Sequence, residues 1–397
     1  MELAQFQPEL AADVANCYKR TIEGVPRCGL GLPEDFSNVT SSPSERLIVA
    51  LDQGEVIGFA HLVATTPEMY RCELDRAEAL AILGLPEGAS PLAIREAYLG
   101  NCFELHPWVY SWDTPEGDFE WYVRDTLLPS ISEPELVRPT SAYLSLRDEG
   151  EMTEVERELR QRLREQEKTT VGFLRFLAYD RGRRDAGQAL LLAAERRLAK
   201  WGAEEVIAFN WDGYPFYHQH AACLSEHMGH VDALLRANGY RIALGEVFLD
   251  WADFTPPSPV PTPTGLDVEL KLEWKRGRTL RPGLVIKVVR DEAELGTCVC
   301  ISSAEWSREP KAEDTLFVLL IWLAEELQGR RLGLHLLQRS LQELHAVGYR
   351  DAIISIGLLE SGAMDSPRGY LFYTNHGFRV YDWTYGFKKT LSTDSVQ

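Results

Sequence analysis

At 397 residues the chain is long enough for two or three domains with separate cores, and 45% hydrophobic with 25% charged residues is the balance of an ordinary globular protein. A net charge of −19 argues against a nucleic-acid binder that works by neutralising phosphates broadly, and no apolar run reaches the length of a membrane span. The seven cysteines (Cys17, Cys28, Cys72, Cys102, Cys223, Cys298, Cys300) are scattered and odd in number. They read as reduced thiols with no metal site, and the N-terminus lacks the basic-then-apolar pattern of a signal peptide, so a cytoplasmic location is expected.

Residues 10–22 have the periodicity of an amphipathic helix, ended by Gly24 and Pro26. Two strand-like runs, 46–51 and 56–63, flank a Gly-containing turn and predict a hairpin. From about 66 to 169 the character changes. Segments 74–83 and 90–104 read as helices, 105–118 is rich in aromatics (His106, Trp108, Tyr110, Trp112), and 153–168 is charged enough to read as a solvated helix. A strand at 171–178 leads through a Gly/Arg turn into a helix at 188–200, stopped by Gly202. A strand at 205–210, an aromatic segment at 214–220, a helix at 230–238 and a closing strand at 241–252 follow. Residues 255–264 hold five prolines in ten and form an extended linker. They divide the chain into 1–254, with an insertion at about 66–169, and 265–397.

The second half is shorter. Strands at 284–289 and 294–301 precede an apolar run that starts at Phe317 and passes through Glu325, Glu326, Gln328 and Gly329. A helix with Leu332, Leu336, Leu337 and Leu341 on one side then runs to about Ala346. The turn leaves the first amides of that helix free to bind an anion, with the dipole and Arg330 and Arg331 adding positive potential. A phosphate or pyrophosphate suits it. A strand at 351–357, a short segment at 370–378 and a last strand at about 379–388 complete the chain.

The halves repeat one another. A gapless shift of 146 residues lays Leu177-Ala178 on Leu323-Ala324, Gly187 on Gly333, Leu190-Leu191 on Leu336-Leu337 and Gly202 on Gly348. The hairpins correspond through Gly58 and Gly296. The repeated unit of hairpin, long strand, Gly/Arg turn, helix, strand, short helix and closing strand resembles the GNAT superfamily of N-acetyltransferases. The whole chain resembles a tandem pair such as mycothiol synthase. Of the superfamily's turn marker, Gln/Arg-x-x-Gly-x-Gly/Ala, Gln328 and Gly333 match, while Arg331 stands at the first glycine. A second marker, Tyr-x-x-x-Gly-Phe, is complete in Tyr373, Gly377 and Phe378.

The resemblance implies an α/β fold with a mixed (α+β) sheet: two tandem acyl-CoA N-acyltransferase folds, the first enlarged by the helical insertion. It implies acetyl-CoA as acyl donor, an unidentified small-molecule amine as acceptor, no nucleic-acid or membrane partner, and a monomer or homodimer. Turn amides from Gln328 through Gly329, Arg330, Arg331, Leu332 and Gly333 to Leu334 are expected to hold the pyrophosphate, and the backbone of Leu323 and Ala324 the pantetheine arm. Tyr373 takes the position of the acid that protonates the leaving thiolate. Glu325 or Glu326 is the candidate base that removes a proton from the amine. In the first copy Asp185 occupies the first-glycine position and Leu235 that of the tyrosine, which points to a degenerate copy. The alternative is a catalytically silent acyl-CoA binder or sensor. The second half also lacks the helices that usually cover the acceptor side, and the first half is expected to supply that wall through 106–112 or 214–220.

Overall fold

The structure is a computed structural model that describes residues 1–397 apart from 27, 40–44, 106–133, 167–169, 210–216, 218–222, 257–264, 277–278, 306, 359–363, 365 and 392–397. The first half opens with β1 (Glu2–Gln5), α1 (Ala11–Thr21), α2 (Pro33–Asn38), β2 (Glu45–Asp52) and β3 (Glu55–Thr65). Among the described residues that follow are the helices α3 (Arg76–Ile82), α4 (Pro91–Leu105), α5 (Pro134–Ser145) and α6 (Glu154–Gln166). The half resumes with β4 (Thr170–Tyr179), α7 (Arg184–Lys200), β5 (Ala203–Ala208), β6 (Leu224–Ser225), α8 (Gly229–Ala237) and β7 (Arg241–Trp251). The second half runs β8 (Glu269–Lys275), β9 (Gly283–Arg290), β10 (Ala293–Ser302), β11 (Thr315–Leu323), α9 (Leu332–Ala346), β12 (Asp351–Leu358), α10 (Pro367–Thr374) and β13 (Arg379–Thr390).

All strands join one mixed sheet in the order β1-β2-β3-β4-β5-β13-β7-β12-β11-β10-β9-β8, with β6 beside β13. Each half is an antiparallel meander of four strands whose last member sends a helix across to a parallel neighbour: β4 to β5 and β11 to β12. The closing strands are exchanged. β13, from the end of the chain, pairs with β5 of the first half, and β7, from the first half, pairs with β12 of the second. Consequently Phe387 lies in the first core, and Val247, Leu249 and Phe254 lie in the second.

Two bulges fix how the repeats correspond. Arg175 of β4 is skipped in the pairing with β3, and Leu319 of β11 in the pairing with β10. Gly58 faces Tyr179 and Gly296 faces Leu323. A Cβ on either glycine would approach a carbonyl oxygen, of Ala178 or of Trp322, to 2.8 Å, so only glycine fits. The strands therefore align Tyr179, not Leu177, with Leu323. In the helices the pair is Gly187, which packs over Tyr179, and Gly333, which lies over Leu323. The gapless 146-residue alignment is thus two residues out in the strands, because the turn of the second copy is two residues longer.

The intervening helices build a core of their own around Tyr70, Leu80, Tyr98, Val137, Tyr143 and Leu159, with the Tyr98 and Tyr143 rings stacked at 4.3 Å. Within it α6 departs from the solvated helix expected: Val155, Leu159 and Leu163 are buried, and so is Glu156, which accepts hydrogen bonds from Tyr143 and Arg147. Its other charged residues lie on the outer face. The aromatic segment His106–Trp112 lies outside the described residues, as does most of the proline-rich linker. All seven cysteines are buried, and none is in a disulfide. Among the described residues no helix is long and apolar enough to cross a membrane.

Candidate active site

In the second half β11 and β12 pair only from Thr315–Phe317 to Asp351–Ile353. Beyond that point, where Leu319 bulges, the two strands separate: each stays paired along its outer edge, β11 with β10 and β12 with β7, while the edges that face one another no longer pair. A V-shaped split results. On the α9 side its walls include Ile321, Leu323, Ile354, Ile356 and Tyr373, all in the second core. On the opposite side Leu320 and Trp322 are exposed, and Ser355 and Glu246 lie across from them. The first half shows the same divergence after Leu174 and Ala208.

The turn that follows β11 is built from short-range bonds. The Ala324 N–H donates to Leu295 O at 2.8 Å, and the Gln328 side-chain amide donates to Leu323 O at 3.0 Å. The expected pantetheine contacts thus already have partners in the protein, although a carbonyl keeps a second lone pair. Residues Glu325–Leu327 form a 3-10 turn, and Arg290 holds the Glu326 carboxylate at 3.0 Å, toward the β9–β10 hairpin. Glu325 is exposed. Gly329 and Arg331 both have left-handed backbone, with φ of 73° and 63°. Arg331 thus adopts the conformation in which glycine is at ease, which explains why a glycine belongs there. Leu332, Gly333 and Leu334 open α9 with amides that have no acceptor within the helix. Among the described residues neither Arg330 nor Arg331 forms an ion pair, and both are exposed.

Tyr373 sits in α10, whose first turn is capped by Ser366 accepting from Gly369 N. Its ring packs edge-on against Phe372 and Phe378, and only 7% of it is exposed. Burial, and then the nearby Cys298 and Cys300 thiols, push its hydroxyl well above the ordinary tyrosine range, so it holds its proton. The marker Tyr373-x-x-x-Gly377-Phe378 closes the helix: Phe378 N donates to Tyr373 O, and Gly377 has φ of 106°. A Cβ there would come within 2.7 Å of Trp251, on the exchanged strand β7.

The corresponding turn of the first half is satisfied from within. Arg183 bonds Asp185 with both guanidinium arms at 3.2 Å and reaches Asp52 at 2.8 Å. Those bonds to Arg183, with help from the Ala186 amide, hold the Asp185 carboxyl below its usual range. A carboxylate therefore stands in the first turn of α7, beside the exposed Arg181 and Arg184, whereas Arg331 holds the matching position before α9. In the first core Tyr217 stacks on Phe176 at 4.4 Å, with Tyr18, Phe36 and Phe59 around it. Leu235 is buried in the core.

Two parallel-strand splits, each after a bulge and each followed by a Gly/Arg turn into a helix, decide the architecture. The chain has the doubled α/β architecture that the GNAT resemblance implied. At the level of sequence no protein-family model matches the chain, and neither does any curated protein. Among solved structures it is similar to a tandem GNAT protein from the clavulanic acid biosynthesis pathway, solved without AcCoA, at 11% identity and TM-score 0.48 over 98% of both chains. A GCN5-related N-acetyltransferase from Sphaerobacter thermophilus matches at 10% identity and TM-score 0.46, over 98% of this chain and 95% of that one. The glucosamine N-acetyltransferase region of a fungal multi-domain GH3 β-N-acetylglucosaminidase matches at 10% identity and TM-score 0.49, over 98% of this chain and 38% of that one. The strand order and the paired bulges carry the fold assignment without these likenesses.

The sequence singled out Tyr373, the Gln328–Leu334 turn and the end of β11, and of these Tyr373, Leu332 and Leu323 share the second core. It did not single out Glu246 or Ser355, which strand pairing alone brings together.

Proposed function

We propose that the chain is an acetyl-CoA-dependent N-acyltransferase for a small amine, and that the second half is the catalytic copy. The observation that carries this is the contrast between the turns. The one before α9 offers helix amides and two arginines to an anion, whereas the one before α7 is closed by Asp185 and Arg183. In this reading amides from Gly329 to Leu334 and the Arg330 and Arg331 side chains hold the pyrophosphate. The acyl-bearing arm lies in the split between β11 and β12.

The amine must lose a proton to attack. Glu326 is committed to Arg290, which leaves Glu325 as the strand-end carboxylate able to receive that proton through water. The nitrogen forms a bond to the thioester carbon, the carbon–sulfur bond breaks, and Tyr373 protonates the departing thiolate. The products are the amide and the free thiol, with one proton released to solvent. The first half supplies β7 and part of the wall: Asp35 of α2 binds Arg308 in the connection between β10 and β11, at 2.6 Å. The segments first expected to form this wall lie outside the described residues, except Tyr217, which is buried in the first core.

Release of free thiol from acetyl-CoA with a panel of primary amines tests the proposal, with Tyr373→Phe as the comparison. Amine-dependent release that falls in the variant supports it. Left-handed Arg331 at a glycine position favours a second reading, a silent acyl-CoA sensor; ligand binding with no turnover on any amine would select that reading. A cytoplasmic monomer or homodimer is part of the same proposal.

A further inference from the structure

The sheet ends at β8, which has no neighbour on its outer side among the described residues. From Glu269 to Lys275 this strand alternates charged and apolar side chains. Leu270, Leu272 and Trp274 lie on the α9 side, opposite the core residues Val288, Ile286 and Leu284 of β9. Leu272 is 36% and Trp274 43% exposed. The charged residues lie on the other side. There Lys271 directly faces Lys287 of β9, a like-charge pair that weakens the ladder. Glu273 holds Lys275 and Lys287 at 3.2 Å, whereas the exposed Glu269 and Lys271 form no ion pair among the described residues. A strand at the end of a sheet, with apolar side chains and main-chain groups turned outward, is a template for another strand.

We infer that the strand completing this edge is β8 of a second copy of the chain, paired antiparallel about a two-fold axis at Leu272. Charge complementarity selects both the occupant and the register. Opposite residues of an antiparallel pair share a face. With the axis at Leu272, Lys271 therefore meets the partner's Glu273, and Glu269 meets the partner's Lys275. On the α9 side Leu270 meets the partner's Trp274, and the two copies of Leu272 meet on the axis. Moving the axis one residue, to Lys271 or to Glu273, sets lysine against lysine and glutamate against glutamate. A lysine on an edge ordinarily guards it against foreign strands. This guard fails against its own copy, because the two-fold offers Lys271 a carboxylate in addition to the lysine it faces on β9. The strand holds two lysines and two glutamates, so the contact is locally neutral on a chain of net charge −19. Pairing along β8 supplies about six to eight main-chain hydrogen bonds and takes the exposed parts of Leu272 and Trp274 out of water. The inference selects a homodimer and is independent of the acyl-transfer reading.

Sedimentation of the full chain over a concentration series tests this. The wild type is expected to pass from one chain per particle to two as concentration rises. Lys271→Glu sets glutamates opposite one another at two symmetry-related places, and Glu273→Lys sets lysines there. Each is expected to raise the dimer Kd about tenfold or more. Mixed in equal amounts, the two variants again oppose unlike charges at both places and are expected to associate with one another. A wild type that stays single at every concentration overturns the inference. So do folded charge-reversed variants that associate as well as the wild type, and a mixture that regains nothing. Glu273→Lys brings a third ammonium to Lys275 and Lys287. Should it not fold, Leu272→Lys, at an exposed position, takes its place. Two ammonium groups on the axis are expected to raise Kd about tenfold or more, and unchanged association in that variant overturns the inference.

Discussion

Val247 of β7 and Trp383 of β13 face one another at the centre of the sheet, each on a strand that closes the half to which its own sequence does not belong. Two cores are thereby locked together by main-chain pairing, and the last strand of the chain stabilises the first half. Phe387→Ala is expected to cost about 3 to 5 kcal/mol, the usual penalty for emptying a fully buried aromatic site. Urea unfolding monitored in the first half checks it.

The same exchange bears on separation. Residues 1–254 alone would leave β5 without β13 and β7 without β12, exposing long unpaired edges. Expressed apart, 1–254 and 265–397 are expected to aggregate; produced together, they should form a soluble complex. Size-exclusion chromatography of both preparations decides this.

Charge at the helix start is expected to settle where the donor binds. Calorimetry should find one acetyl-CoA per chain, with Asp185→Asn leaving that stoichiometry unchanged. Gly333→Asp should weaken binding about tenfold or more, since it puts a carboxylate in the first turn of α9, two residues past the position that Asp185 holds in the first copy. The substitution is sterically tolerable, because a Cβ at Gly333 would lie 3.7 Å from its nearest neighbour, Leu323 Cδ1.

Tyr373→Phe is expected to lower kcat about a hundredfold or more, the ordinary contribution of a general acid, with acetyl-CoA affinity preserved. Burial raises the Tyr373 pKa, so its acid form persists on the alkaline side. The wild-type rate should therefore rise with pH as the amine loses its proton, with no decline in the range where an exposed tyrosine ionises. A pH profile of kcat tests the sign.

Asp382 provides a separate pH signature. Buried on β13 and bonded to Ser225 at 2.9 Å, its carboxyl is pushed up to about 6, chiefly by desolvation. A folded-state pKa above the unfolded one means stability that is present in acid and lost as pH rises through about 6. Asp382→Asn is expected to be the more stable protein at pH 8 by about 2 kcal/mol, an advantage that disappears near pH 4. Denaturant midpoints at the two pH values measure it.

The turn backbone makes a paired prediction. Gly329→Ala should destabilise by about 1 kcal/mol, since an L-residue resists φ near 73° even where space is free. Arg331→Gly should change stability by less than about 1 kcal/mol, because relief of its left-handed backbone offsets the entropy of a new glycine. Chemical denaturation of both variants compares them.

Local information was enough for much of this molecule. Alternating apolar residues, glycine stops and the Tyr373–Phe378 marker are short-range signals, and they gave both halves of the repeat, the strand–turn–helix at Gln328–Leu334 and the buried tyrosine. They could not place the two extra residues of the second turn, because the bulges at Arg175 and Leu319 become visible only when a neighbouring strand skips them. Nor could they pair the closing strands. β7 and β13 carry similar alternation and could each hydrogen-bond to β5 or β12; chain connection and side-chain fit in three dimensions choose between them. That choice set Glu246 beside Ser355 and Trp251 against Gly377, contacts between residues more than a hundred positions apart that no local pattern encodes.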